Sequence, residues 1–88
     1  MNRVFKRALI TGIGGSGGSY LTEHILKRSP RTKIFGFRRS VGYSTYLKKK
    51  YKSKVSITKI DLNNFNNLKK KLSIIKPDVV FHLASNAD

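Results

Sequence analysis

The chain has 88 residues, 39% of them hydrophobic, and 19 Lys plus Arg against 4 Asp plus Glu, a formal charge of +15. That length supports one small domain and excludes two, and a core of this size is marginal. The lack of cysteine excludes a disulfide scaffold and a thiolate metal site, and apolar runs of about four or five residues fall far short of the ~20 that span a bilayer.

The start, Met1-Asn2-Arg3-Val4-Phe5-Lys6-Arg7, carries charge with no long apolar region behind it. It does not read as a signal peptide, and a cytoplasmic protein is expected. Arg7-Ala8-Leu9-Ile10-Thr11 is a short apolar run that stops at Gly12, the pattern of a buried strand. Five of the next seven residues, Gly12 to Gly18, are glycine. No regular element tolerates that density, so this is a loop. A helix is expected from about Gly17. Leu21, Ile25 and Leu26 form its inner face, with Tyr20 and His24 beside them. Glu23 is placed in an early turn, and Lys27 and Arg28 in the last, which suits the helix dipole. Pro30 ends it.

Lys33-Ile34-Phe35-Gly36-Phe37-Arg38 reads as the second strand. Tyr43, Leu47 and Tyr51 recur every four residues and fit one short helix. Val55, Ile57 and Ile60 mark a third strand that ends at Asp61. Asn63 or Asn64 can cap the next helix. Phe65, Leu68, Leu72 and Ile75 make its apolar stripe, and Pro77 stops it. Val79-Val80-Phe81-His82-Leu83-Ala84 is a fourth strand, apolar enough to be covered on both faces. Phe35, Phe37, Phe65 and Phe81 are all assigned to core faces. The lysine runs 48–50 and 69–71 fall in helices and read as solvated faces. The order β-α-β-(α)-β-α-β predicts an α/β fold with a parallel, right-handed sheet.

The glycine loop carries the chemistry. Gly12, Gly15 and Gly18 follow a strand and open a helix, as a dinucleotide fingerprint requires. Gly12 lets the chain turn off the strand, Gly15 lets backbone approach a pyrophosphate, and Gly18 lets the helix pack against the strand. The loop and helix start, Gly12, Ile13, Gly15, Ser16, Gly17 and Gly18, form the expected phosphate cradle, with free N–H groups and the positive end of the helix behind them. A nucleoside-triphosphatase loop would need Gly-Lys-Ser/Thr, whereas Gly18 precedes Ser19-Tyr20. About 20 residues past the last glycine an acid would favour NAD and an arginine NADP. Here stand Arg38, Arg39 and Ser40, whose guanidinium and hydroxyl donors suit an extra phosphate. NADP is the expected cofactor.

Ala8 to Leu21 resembles the opening of the extended short-chain dehydrogenase/reductase family, and Gly18-Ser19-Tyr20-Leu21 resembles its GDP-mannose 4,6-dehydratase branch. Phe35 to Ser40 is similar to that branch's NADP-selecting segment. Two departures stand out: Ser16-Gly17 where the branch usually carries Gln-Asp, and Ser85-Asn86-Ala87-Asp88 where it tends to read Ala, a polar pair and His-Val. The resemblance implies a Rossmann-type doubly wound parallel sheet, of which residues 1–88 are the N-terminal, NADP-binding part. It implies that Asp61-Leu62 lies against the adenine, and that Leu83, Ala84 and Ser85 approach the ribose and nicotinamide side. It implies an enzyme acting on a nucleotide-linked sugar: hydride leaves C4, water is lost across C5 and C6, and hydride returns at C6.

The family's catalytic Tyr-x-x-x-Lys pair follows the fourth strand. Tyr46-Leu47-Lys48-Lys49-Lys50 matches the pattern between the second and third strands, in the adenine half. In this lysine-rich chain it reads as a packed ring and a solvated ammonium. No catalytic residue is therefore assigned, the histidines and acids show no metal-ligand spacing, and the chain reads as an N-terminal fragment with an exposed fourth-strand edge. An epimerase or reductase of the same family is the first alternative. A small basic nucleic-acid-binding protein is the second; it needs exposed aromatics among the lysines, and only Tyr43 to Lys54 offers them. The expected partner is a nucleotide sugar rather than nucleic acid or membrane, with the full-length protein a homo-oligomer.

Overall fold

The computed structural model describes residues 5–84. The strands are β1 (Arg7–Thr11), β2 (Lys33–Arg38), β3 (Val55–Lys59) and β4 (Val79–His82). The helices are α1 (Ser16–Arg28), α2 (Ser44–Tyr51) and α3 (Phe65–Ile75). A single 3-10 turn, Lys52–Lys54, joins α2 to β3. The sheet is parallel throughout, in the order β3-β2-β1-β4. Each crossover carries a helix, so the glycine loop and the other strand-to-helix turns gather at the carboxyl end of the sheet.

Side chains alternate across β1, and each face has its own core. Ala8 and Ile10 pack with Ile34 and Val55 under Leu26 of α1 and Leu47 of α2. Leu9 lies on the opposite face with Phe37 and Ile60, under Ile75 of α3 and the half-buried Leu68 and Leu72. The Asn64 side chain caps α3 by accepting the Asn67 N–H at 3.1 Å. α3 ends at Lys76, which adopts φ +48 and donates its N–H to the Leu72 carbonyl, one residue before Pro77. Among the described residues no helix is long and apolar enough to cross a membrane.

Four local expectations are corrected. His24 is exposed, because the buried line of α1 is Gly18, Thr22 and Leu26 and His24 lies two residues, about 200°, around from Thr22. Glu23 is not near the helix start: the first turn holds no acid. Phe65 is 76% exposed, since it opens α3 before the line Leu68–Leu72–Ile75 meets the sheet. Among the described residues β4 is covered on one face only. Val79 and Phe81 pack on the α1 side, while Val80 and His82 are exposed because the core beneath α3 is built over β1 and β2.

Candidate functional site

A cleft of about 250 Å³ opens at the carboxyl ends of β1, β2 and β3. It gathers Gly12, Gly15, Arg38, Arg39, Ser40, Asp61, Leu62, Leu83 and Ala84, and adds Gly14, Phe37, Ile60 and Asn63, which the sequence reading did not single out as site residues. Arg38 is half-buried at the end of β2, and Arg39 and Ser40 are exposed just beyond it. On the far wall the Asp61 carboxylate accepts the Asn63 N–H through Oδ1 at 2.9 Å.

The loop that floors the cleft is fixed by close backbone contacts. Gly12 has φ +73, and a Cβ there would stand 2.8 Å from the Ala84 nitrogen. Its conformation turns the chain off β1, and its bare Cα lets the end of β4 approach. A Cβ at Gly18 would stand 2.6 Å from the Gly12 carbonyl oxygen and from the Ile13 Cα, so α1 sits directly on the loop. Gly15 differs. The nearest atom to its Cβ position is the Gly12 carbonyl oxygen at an ordinary 3.5 Å, and Gly17 has nothing within 4 Å. Ser19 donates its N–H to the Gly15 carbonyl at 3.0 Å. The first amides of α1, at Ser16, Gly17 and Gly18, have no helical acceptor of their own.

Ile13 is placed otherwise than the phosphate cradle expects. Its side chain is fully buried against the α1 side of the sheet, and its N–H is donated to the Phe37 carbonyl at 3.2 Å. It is a core residue that anchors the loop. Gly18 too is buried, and Ser16 and Gly17 are exposed at the helix start without lining the cleft. Ser85 lies outside the described residues. The end of β4 is tied to β1 by Thr11: its hydroxyl accepts the Ala84 N–H at 3.2 Å and lies 2.8 Å from His82 Nδ1.

Tyr46 and Lys50 stand apart from the cleft. Lys50 lines a separate shallow depression with Tyr20, Glu23, His24, Leu26, Lys27 and Tyr51. Tyr46 is half-exposed rather than packed, and Lys50 is ion-paired rather than free. The Glu23 Oε2 accepts from Lys50 Nζ at 2.6 Å, Tyr51 hydroxyl at 2.9 Å and Tyr46 hydroxyl at 3.1 Å. The other lysines of that run, Lys48 and Lys49, are exposed, as are Lys69 and Lys70. Hydrogen bonds from Lys50 and then Tyr51 hold the Glu23 carboxyl below its ordinary value of 4.5, and the bonds of Lys50 to Glu23 and then to Tyr46 push Lys50 up. Tyr51 is raised by burial and then by its bond to Glu23. A carboxyl that titrates lower in the folded than in the unfolded chain stabilises fully above the unfolded value, and the contribution is lost as pH falls through the folded one. Thermal unfolding from pH 6 to about 3 is therefore expected to show a steeper acid loss in wild type than in Glu23→Gln. Parallel curves would mean that the cluster does not join α1 to α2.

The fold and this cleft define a Rossmann-type α/β protein, with a glycine loop and a basic strand end facing one opening. A family model described as GDP-mannose 4,6 dehydratase matches residues 9–87. The chain belongs to that family. It is 36% identical to GDP-mannose 4,6 dehydratase 1 of Arabidopsis thaliana, over 93% of this chain and 25% of that protein. It is 35% identical to GDP-mannose 4,6 dehydratase 2 of the same plant, over 93% of this chain and 24% of that protein. The chain thus spans about a quarter of the length of these curated relatives. The crystal structure of dTDP-glucose 4,6-dehydratase from Bacillus anthracis str. Ames in complex with NAD shares the fold. Its TM-score is 0.78 at 18% identity, over 92% of this chain and 27% of that one.

Proposed function

We propose that the cleft binds the adenosine half of NADP, and that the whole protein is a sugar-nucleotide 4,6-dehydratase acting on a GDP-mannose-like substrate. One observation carries the reading. The glycine loop, through Gly12, Gly14 and Gly15 (the N-cap of α1), and the segment Arg38-Arg39-Ser40 open onto the same cleft. The volume, about 250 Å³, is below the ~300–1,000 Å³ of a complete small-ligand pocket, which suits part of a dinucleotide. The fit is also local. The protein itself leaves room for a Cβ at Gly15, on a residue exposed to the cleft. A phosphate lying against that backbone gives glycine a reason there.

On this reading the amides at Ser16, Gly17 and Gly18 face the pyrophosphate. Arg38 and Arg39 hold the 2′-phosphate with Ser40 beside them. Asp61, Leu62 and Ile60 line the adenine side, and Leu83 and Ala84 border the ribose. The bound nicotinamide supplies hydride acceptance and return. The relatives, both dehydratases by name, support dehydration over epimerisation or reduction. Titration of the whole protein with NADPH and NADH tests the cofactor, followed by assay of GDP-mannose for loss of water. Saturable micromolar binding that favours NADPH is expected. Failure to bind either nucleotide, beside salt-sensitive binding of RNA, would replace this reading with a nucleic-acid-binding one.

A further inference from the structure

We propose that Gly14 and Gly42 form a backbone latch that sets where Arg38, Arg39 and Ser40 stand over the cleft. The latch thereby determines discrimination between a 2′-phosphorylated adenosine nucleotide and its unphosphorylated counterpart. The inference rests on the cofactor reading above and assigns part of its specificity to a residue that does not line the cleft, Gly42.

The segment between β2 and α2 is strapped to the glycine loop at both ends. At one end the Phe37 carbonyl accepts the Gly12 and Ile13 N–H groups at 3.0 and 3.2 Å. At the other the Tyr43 N–H is donated to the Gly14 carbonyl at 2.8 Å. Between these two anchors lie the residues from Arg38 to Gly42. A further bond, Ser44 N–H to the Val41 carbonyl at 2.8 Å, closes the turn into α2.

The second anchor leaves no room for side chains. A Cβ at Gly14 would stand 2.8 Å from the Ser40 carbonyl oxygen and 3.2 Å from that of Val41. Gly42 has φ +45, and a Cβ there would collide with the Gly14 carbonyl, the acceptor of the Tyr43 bond. An alanine at 42 is therefore strained in its backbone and opposed by the latch oxygen. The Ser44 hydroxyl is buried beside this contact, 3.4 Å from the Gly14 Cβ position, with no hydrogen-bond partner among the described residues. Such an orphan is uncommon and costs stability.

The two anchors divide the effects. Loosening the Gly42 end lets the arginine segment swing about Phe37. The Phe37 anchor keeps the glycine loop in place for the pyrophosphate. Isothermal titration of the whole protein with NADP and with NAD tests this. Gly42→Ala is expected to weaken NADP at least tenfold and NAD less than threefold. In an Arg38→Ala, Arg39→Ala background it is expected to lower the ratio no further, which marks action through the arginines. Should Gly42→Ala fail to fold, hydrogen exchange in the wild type reads the latch directly. The Tyr43 amide is expected to exchange slowly, and exchange at the rate of an open amide overturns the proposal. Equal weakening of both nucleotides overturns the specificity role and leaves the cofactor reading intact. A wild type that binds neither overturns both.

Discussion

Phe37→Ala is expected to lower the free energy of unfolding by about 3–5 kcal/mol, the usual cost of truncating a fully buried aromatic ring. Phe37 is 2% exposed and packs with Leu9, Ile60 and Ile75, so its ring joins the sheet to the α3 side of the core. No neighbour can collapse into the space cheaply, because Leu9 lies on the strand hydrogen-bonded to β2 and Ile75 on a helix held at its own cap. The loss is large against the ~5–15 kcal/mol that small domains possess in total. Denaturant unfolding should show the midpoint falling with little change of slope. Phe37→Leu keeps most of the volume and is expected to cost less than about 1.5 kcal/mol. The pair also separates ring from backbone: the Phe37 carbonyl accepts the Gly12 and Ile13 N–H groups in either variant. Near-equal stability of Phe37→Ala and wild type would mean that this core does not exist as described.

The elements most legible in the sequence were those whose signals are local. β1 ends where glycine begins, and α3 shows its stripe at Leu68, Leu72 and Ile75. Arg38 stands at a strand end that Lys33-Ile34-Phe35 already announces. What escaped depends on approach between segments far apart in the chain. Thr22 is fully buried, yet hydropathy places it outside. Its hydroxyl satisfies itself on the Gly18 carbonyl, four residues back, at 2.7 Å. Gly14 is one of five glycines in a seven-residue loop, and no sequence signal singles out Gly42. Their roles arise only where the two loops meet. Glu23 was assigned to the helix dipole because its partners, Tyr46, Lys50 and Tyr51, are more than 20 residues away. Phe65 and the outer face of β4 failed for a common reason. An apolar residue signals a core only if some element lies above it, and periodicity carries no information about where a helix begins to overlap the sheet.

Arg38→Asp is expected to reverse the cofactor preference. Arg38 is half-buried at the carboxyl end of β2, where screening by solvent is weaker than at the exposed Arg39. Hydrogen bonds to a charged partner contribute about 1.5–3 kcal/mol, so losing them lowers the NADP-to-NAD affinity ratio roughly 10- to 150-fold. The aspartate adds repulsion against the phosphate and offers an acceptor to a ribose hydroxyl, and both changes act in the same direction. Arg39→Asp should move the ratio less, because an exposed pair contributes little. The formal charge of +15 supplies the control. It attracts any anion over a distance that salt shortens to about 8 Å, and it acts on NADP and NAD through their shared pyrophosphate as well as through the extra phosphate. Removing a distant charge, as in Lys70→Gln on the exposed face of α3, should therefore leave the ratio close to that of wild type. If Lys70→Gln and Arg38→Asp shift the ratio alike, selection is a property of net charge. If only Arg38→Asp shifts it, the selection is local to the end of β2, where the chain places its half-buried arginine beside a glycine loop.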